Sequence, residues 1–172
     1  MKNYIKHITI LLVFVCGLFT ANAQNTKAEK KAAKLSDIKN LVNSQRFVFV
    51  ANYVLPLGGG GRALTSQYDL TITKDSVSAF LPYFGRAYMA DFGSIDGGIK
   101  FTSTHFTYKL TGKKSRWEIL ITFTDANIIN GPKGVRQMRL NVSEDGYGSL
   151  QITSSNRDAI SFNGYIEEIG KK

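Results

Sequence analysis

From Phe47 to the end of the chain, apolar side chains recur at every second position. Phe47, Phe49, Ala51, Tyr53 and Leu55 alternate with other residues, as do Tyr68, Leu70 and Ile72, and then Val77, Ala79 and Leu81. Trp117, Ile119, Ile121 and Phe123 make the cleanest run. Met138, Leu140 and Val142, then Leu150 and Ile152, and finally Ile160, Phe162 and Ile166 complete the series. Successive side chains of a strand point to opposite faces, so a period of two predicts strands with one face in a core and one in water. Between these runs, Ile99 and Phe101 share one parity while Phe106, Tyr108 and Leu110 take the other. That phase slip predicts a bulge or bend around Ser103-Thr104-His105. With this broken run counted once, the pattern gives eight strands.

The connectors carry turn residues: Lys74-Asp75, Thr111-Gly112-Lys113-Lys114, Glu144-Asp145-Gly146 and Ser155-Asn156-Arg157-Asp158. Short connectors join antiparallel neighbours, hence a meander. The expected fold is therefore all-β: an eight-stranded antiparallel meander closed as a lipocalin-like barrel, with a two-layer β-sandwich as the alternative. Three connections are longer. Pro56 to Ala63 holds the run Gly58-Gly59-Gly60-Gly61, Pro82 to Gly98 is glycine-rich, and Asp125 to Gly134 contains Asn130-Gly131-Pro132.

Before Phe47 the period is different. Ala28, Ala32, Ala33, Leu35, Ile38, Leu41 and Val42 fall near 3.6 spacing, which predicts an N-terminal α-helix over Thr26 to Ser44. Lysines 27, 30, 31, 34 and 39 lie largely between them. Of the chain's formal charge of +9, much sits here: Gln24 to Arg46 holds six basic residues against two acidic ones. No aromatic is interleaved, which argues against a nucleic-acid surface. A solvated helix face, with peripheral contact of the Lys-rich arm to an anionic membrane surface, fits better.

The first residues read as an address. Lys2 and Lys6 precede an apolar run from Ile8 to Phe19, and Ala21-Asn22-Ala23 supplies the small-x-small pattern of a signal-peptidase site. The run is short of the roughly 20 apolar residues of a spanning helix. The expected organisation is a signal peptide over 1–23 cleaved after Ala23, a basic arm and helix over 24–46, and a single β domain over 47–172, located in the periplasm or secreted. A lipoprotein anchored through Cys16 fits poorly, because Val15 stands where a small residue is wanted. Cleavage would remove Cys16, the only cysteine, and leave His105 as the only histidine.

Few catalytic chemistries survive this inventory. The glycine run has no Lys-Ser/Thr pair and no following helix, so it is not a phosphate loop. There is no Gly-x-Ser-x-Gly elbow and no multi-Cys metal site. His105 is expected to be a half-buried sheet residue. Asp91 and Asp96 are too closely spaced for a calcium loop and lack its closing carboxylate. Glu118, Glu144 and Glu167 fall on separate strands. No metal, cofactor or enzymatic activity is expected. Asp75-Ser76-Val77 looks like the short acceptor motif for O-glycosylation in envelope proteins of some Gram-negative anaerobes, which would place a glycan on Ser76.

The most distinctive segment is Leu81-Pro82-Tyr83-Phe84-Gly85-Arg86-Ala87-Tyr88. Pro82 ends strand pairing, and three aromatics and an arginine follow. Rings give rigid apolar area and guanidinium adds a planar donor, so Tyr83, Phe84, Arg86 and Tyr88 are the expected ligand-binding residues. Together with Gly97-Gly98-Ile99-Lys100-Phe101 and Ser154-Ser155-Asn156-Arg157-Asp158-Ala159-Ile160-Ser161-Phe162-Asn163-Gly164, this segment resembles a domain-of-unknown-function family of small secreted proteins from Bacteroidetes-type bacteria, over Phe47 to Ile166. The resemblance implies a bacterial envelope setting and brings no activity. The expected function is a non-enzymatic binding protein for a small apolar or amphipathic ligand in the barrel mouth. The alternative is an envelope module that binds a protein or a glycan.

Overall fold

Alternation of buried and exposed residues carries through nearly every strand of the computed structural model, which describes residues 27–88, 97–113, 116–124 and 134–170. The signal-peptide reading, the Asp91–Asp96 pair and the Asn130-Gly131-Pro132 connection lie outside the described residues. Among the described residues, nine strands follow one helix. They are β1 (Phe47–Pro56), β2 (Arg62–Ile72), β3 (Val77–Leu81), β4 (Ile99–Ser103), β5 (Phe106–Lys113), β6 (Arg116–Phe123), β7 (Val135–Ser143), β8 (Tyr147–Ser154) and β9 (Ile160–Glu167).

All pairings are antiparallel, in the order β4-β3-β2-β1-β9-β8-β7-β6-β5. The first and last strands in sequence are therefore neighbours, and the sheet curls into a nearly closed barrel. The expected barrel is present and the sandwich is not. The count of nine instead of eight has a local cause at the predicted phase slip. Ser103 is buried, and its Oγ accepts the His105 N–H at 3.1 Å. This side-chain turn takes the backbone out of the ladder for two residues. An odd number of strands cannot close an all-antiparallel ring, so β4 and β5 act as two halves of one broken strand, the first paired to β3 and the second to β6. The Thr124 N–H donates to the His105 carbonyl at 3.1 Å, and Phe101 meets Phe123 edge-on at 5.2 Å, joining β4 to β6 across the break.

The inward positions are large and apolar. Phe47, Phe49, Phe162, Ile121, Met138 and Leu140 are among the fully buried side chains that fill the barrel. The chain divides into two compact units after Asp37. In the first, residues 27–37 are helical and almost wholly exposed. The second holds the remainder of the same helix, α1 (residues 27–44), together with all nine strands. There, Ile38 and Val42 are buried, and the Tyr108 hydroxyl of β5 donates to the Val42 carbonyl at 2.8 Å. Gly146, with φ of 81° in the β7–β8 turn, leaves room for Ile38, whose Cδ1 would lie 2.8 Å from an added Cβ. The helix ends at Gln45, whose positive φ of 54° takes the left-handed stop position. The expected helix is thus present, but only its second part carries a buried face; Ala28, Ala32 and Ala33 are exposed.

Candidate binding rim

Two separate stretches of sequence meet at the barrel end where β3 leaves and β4 enters. Pro82, as the exit residue of β3, turns the chain over that end, and the connection between β8 and β9 rises to meet it. Ala87 and Arg157 form an isolated antiparallel bridge. The Tyr88 N–H donates to the Asn156 carbonyl at 2.8 Å, and the Asp158 N–H to the Arg86 carbonyl at 3.0 Å. Arg157 is buried; its guanidinium donates to the Gly97 carbonyl at 3.1 Å and lies 4.9 Å from the Tyr83 ring centre. The Tyr83 hydroxyl donates to the carbonyls of Arg86 and Asp158, at 2.9 and 3.2 Å. The three sequence blocks that carry the family resemblance are therefore one cluster in space.

This cluster divides the four predicted site residues. Tyr83 and Phe84 line a pocket of about 380 Å³, together with Ser66, Tyr68, Phe80 and Lys100. Arg86 and Tyr88 do not line it. Arg86 contributes its carbonyl to the cluster, and the Tyr88 hydroxyl donates to the Asp158 carboxylate. The pocket sits on the rim, outside the filled interior. Phe80 and Lys100 are outward positions of β3 and β4, between buried Ala79 and Leu81 and between buried Ile99 and Phe101.

The rim is aromatic with two cations. Tyr68 and Phe80 stack at 5.8 Å with an interplanar angle of 22°. Lys100 Nζ lies 4.6 Å from the Phe80 ring centre, and the Arg62 guanidinium 4.5 Å from that of Phe84. Sequence reasoning missed Tyr68, Phe80 and Lys100. The signal for Phe80 was present: a large ring stands at a solvent-facing parity of β3, where it remains 46% exposed. The phenols are tuned away from proton transfer at neutral pH. Burial, reinforced by the Asp158 charge and opposed by Arg157, pushes the Tyr83 hydroxyl up. The hydrogen bond to Asp158 does the same for Tyr88. The arrangement presents ring faces and two cations side by side at one surface.

The remaining candidates lie elsewhere. His105 is exposed in the kink between β4 and β5, not half-buried, with Nδ1 3.2 Å from the Thr104 hydroxyl. Ser76 closes the β2–β3 turn, where its hydroxyl and that of Thr73 are 2.9 Å apart. Among the described residues, no group of three or more His, Cys, Asp or Glu side chains could hold a metal ion. No described helix is long and apolar enough to cross a membrane.

Residues 29–166 match the family model described as "Domain of unknown function (DUF4251)". The chain belongs to the DUF4251 family. A crystal structure of a DUF4251 family protein from Bacteroides eggerthii DSM 20697 is similar in fold, with a TM-score of 0.60 and 16% sequence identity. The alignment covers 83% of this chain and 94% of that one. A search of curated proteins finds no match. The family match supports the expected membership of a domain-of-unknown-function family, and at this identity the DUF4251 crystal structure speaks for the fold alone.

Proposed function

We propose that this DUF4251 chain is a secreted or periplasmic, non-enzymatic binding protein that takes a small amphipathic ligand at the Tyr83–Phe84 rim. One observation carries the reading: four rings, those of Tyr68, Phe80, Tyr83 and Phe84, converge on one pocket with Lys100 at its wall. Its size of about 380 Å³ is within the range of small-ligand sites. Exposed rings lose water on binding and supply apolar area, while the ammonium favours a ligand with an anionic end. The barrel interior offers less support, because its inward positions are taken by large side chains.

The test is a fluorescence titration with 1-anilinonaphthalene-8-sulfonate, an anionic aromatic amphiphile, on the folded chain. The native protein should enhance its emission saturably. Phe80→Ser and Phe84→Ser should each weaken binding by about tenfold, since each removes a ring that a bound ligand would cover. Absence of saturable binding, or affinity unchanged in both variants, would overturn the reading. Cell fractionation with N-terminal sequencing tests the location: retention in the cytoplasm with Met1 or Lys2 at the N-terminus would contradict it.

A further inference from the structure

On the opposite side of the sheet order from the rim, the outer wall of the barrel carries a second pocket of about 380 Å³. Asn141 of β7, Ser149 of β8 and Asn163 of β9 are direct cross-strand partners and all three are exposed. They form a row across the strands, with neighbours about 4.8 Å apart. Asn52 of β1, Arg116 of β6 and Tyr147 of β8 complete the lining. Tyr147 is 66% exposed, so its ring stands as a platform beside the row. Among the described residues, the carboxamides of Asn52, Asn141 and Asn163 make no hydrogen bond to the protein. No carboxylate lines the groove.

A second observation converges on the same place. Against β9, Ala51 pairs with Gly164 and Tyr53 with Asn163, so Asn52 is the extra residue of a bulge on β1; against β2, where Ala51 pairs with Tyr68 and Tyr53 with Ala63, the extra residues lie on β2. The bulge brings the Val50 carbonyl so close to Gly164 that a Cβ there would collide with it. Glycine inside a strand weakens the strand, and a bulge interrupts its ladder. Both costs are met at the groove, and their effect is to give Asn52 to its wall. Bulges that re-aim a side chain in this way are over-represented beside functional sites.

We infer that this groove is a binding site for an oligosaccharide. The chemistry selects the occupant. A carboxamide presents donors and an acceptor, and each sugar hydroxyl offers both in return. An apolar partner would instead leave three carboxamides dehydrated and unmatched, at a cost for each. The spacing of the row is close to the length of one hexopyranose residue, so successive sugars can meet successive strands. The face of a pyranose ring, which carries C–H groups, stacks on an aromatic ring such as Tyr147. Glu118, the cross-strand partner of Asn141 on β6, continues the row without lining the groove, and the charged side chain in the lining is that of Arg116. The site is independent of the rim, sharing no lining residue with it.

The experiment is an NMR titration of the full ¹⁵N-labelled chain with three neutral trisaccharides: N-acetylchitotriose, maltotriose and mannotriose. At least one should shift the side-chain amide signals of Asn141 and Asn163 and the backbone amides of Gly148 and Ser149. Tyr147→Ala and the pair Asn141→Ala with Asn163→Ala should each weaken that binding by about tenfold, a change read directly from the midpoint. Those positions are exposed, so the variants should keep the native backbone spectrum. Phe80→Ser, which disables the rim, should leave trisaccharide binding unchanged, separating the two sites. The inference is overturned if none of the three sugars shifts these signals, if the shifts map elsewhere, or if the groove variants bind as tightly as the native chain.

Discussion

Asp69 shows how a single residue registers its surroundings. It lies in β2 between Val50 of β1 and Phe80 of β3, and burial raises its carboxyl above the ordinary value of 3.8. Protonation of this group is therefore easier in the folded chain than in the unfolded one. The charged carboxylate carries a desolvation penalty at every pH above its folded pKa, and the penalty fades as pH falls through that value. Asp69→Asn should then stabilise the protein at pH 7 and lose that advantage near pH 3. The gain should stay under about 1 kcal/mol, because the carboxylate is partly solvated and water screens it. Urea denaturation at the two pH values reads it. A variant that is less stable than the native chain at pH 7, or whose advantage grows in acid, would remove burial as the cause.

At the scale of elements, most of the β architecture was legible because the period of two survives wherever one face is buried. The helix and its end at Ser44 were legible from the spacing; the left-handed Gln45 that stops it leaves no compositional mark. The phase slip at Ser103 was visible as parity; its cause, a serine hydroxyl capturing the His105 N–H, needed coordinates. Half of the rim was legible. Tyr83 and Phe84 stood out as ring residues after a proline, but Tyr68 and Lys100 come from other strands and reach the same pocket only through the pairing of β2, β3 and β4. The β1 bulge was invisible, since Ala51-Asn52-Tyr53 continues an unbroken alternation in the sequence. Its partner, Gly164, gives the sharpest check. Gly164→Ala would press a methyl group into the Val50 carbonyl, and neither strand can yield without breaking pairs. The cost should be about 3 kcal/mol or more. Gly58→Ala, with nothing within 4 Å of the added Cβ, should change stability by less than about 0.5 kcal/mol. Equal denaturation midpoints for the two would mean that β1 and β9 do not approach as described.

Taken as a whole, the barrel unit differs from a ligand-carrying cup in one physical respect: large side chains occupy its inside. Barrels of this strand number are just wide enough either to be filled or to hold one small molecule. Here the inward residues decide for filling, and the two pockets discussed above lie on the outer surface. Phe162 separates the alternatives. It is fully buried on β9, with Leu150 of β8 and Val54 of β1, both fully buried too, as its cross-strand partners. In a hollow barrel its loss would enlarge an existing space and cost little. In a filled one, Phe162→Ala removes a closely packed ring and leaves a void, which should destabilise the fold by about 3–5 kcal/mol. The void should be apolar, dry and able to take up xenon, as engineered cavities lined by aliphatic and aromatic groups do. Denaturation midpoints and ¹²⁹Xe NMR on the native and variant chains measure both effects. The expected result is a large loss of stability with xenon binding only in the variant. Strong xenon binding by the native chain, with little destabilisation on substitution, would instead reveal an interior space and return the ligand to the inside of the barrel.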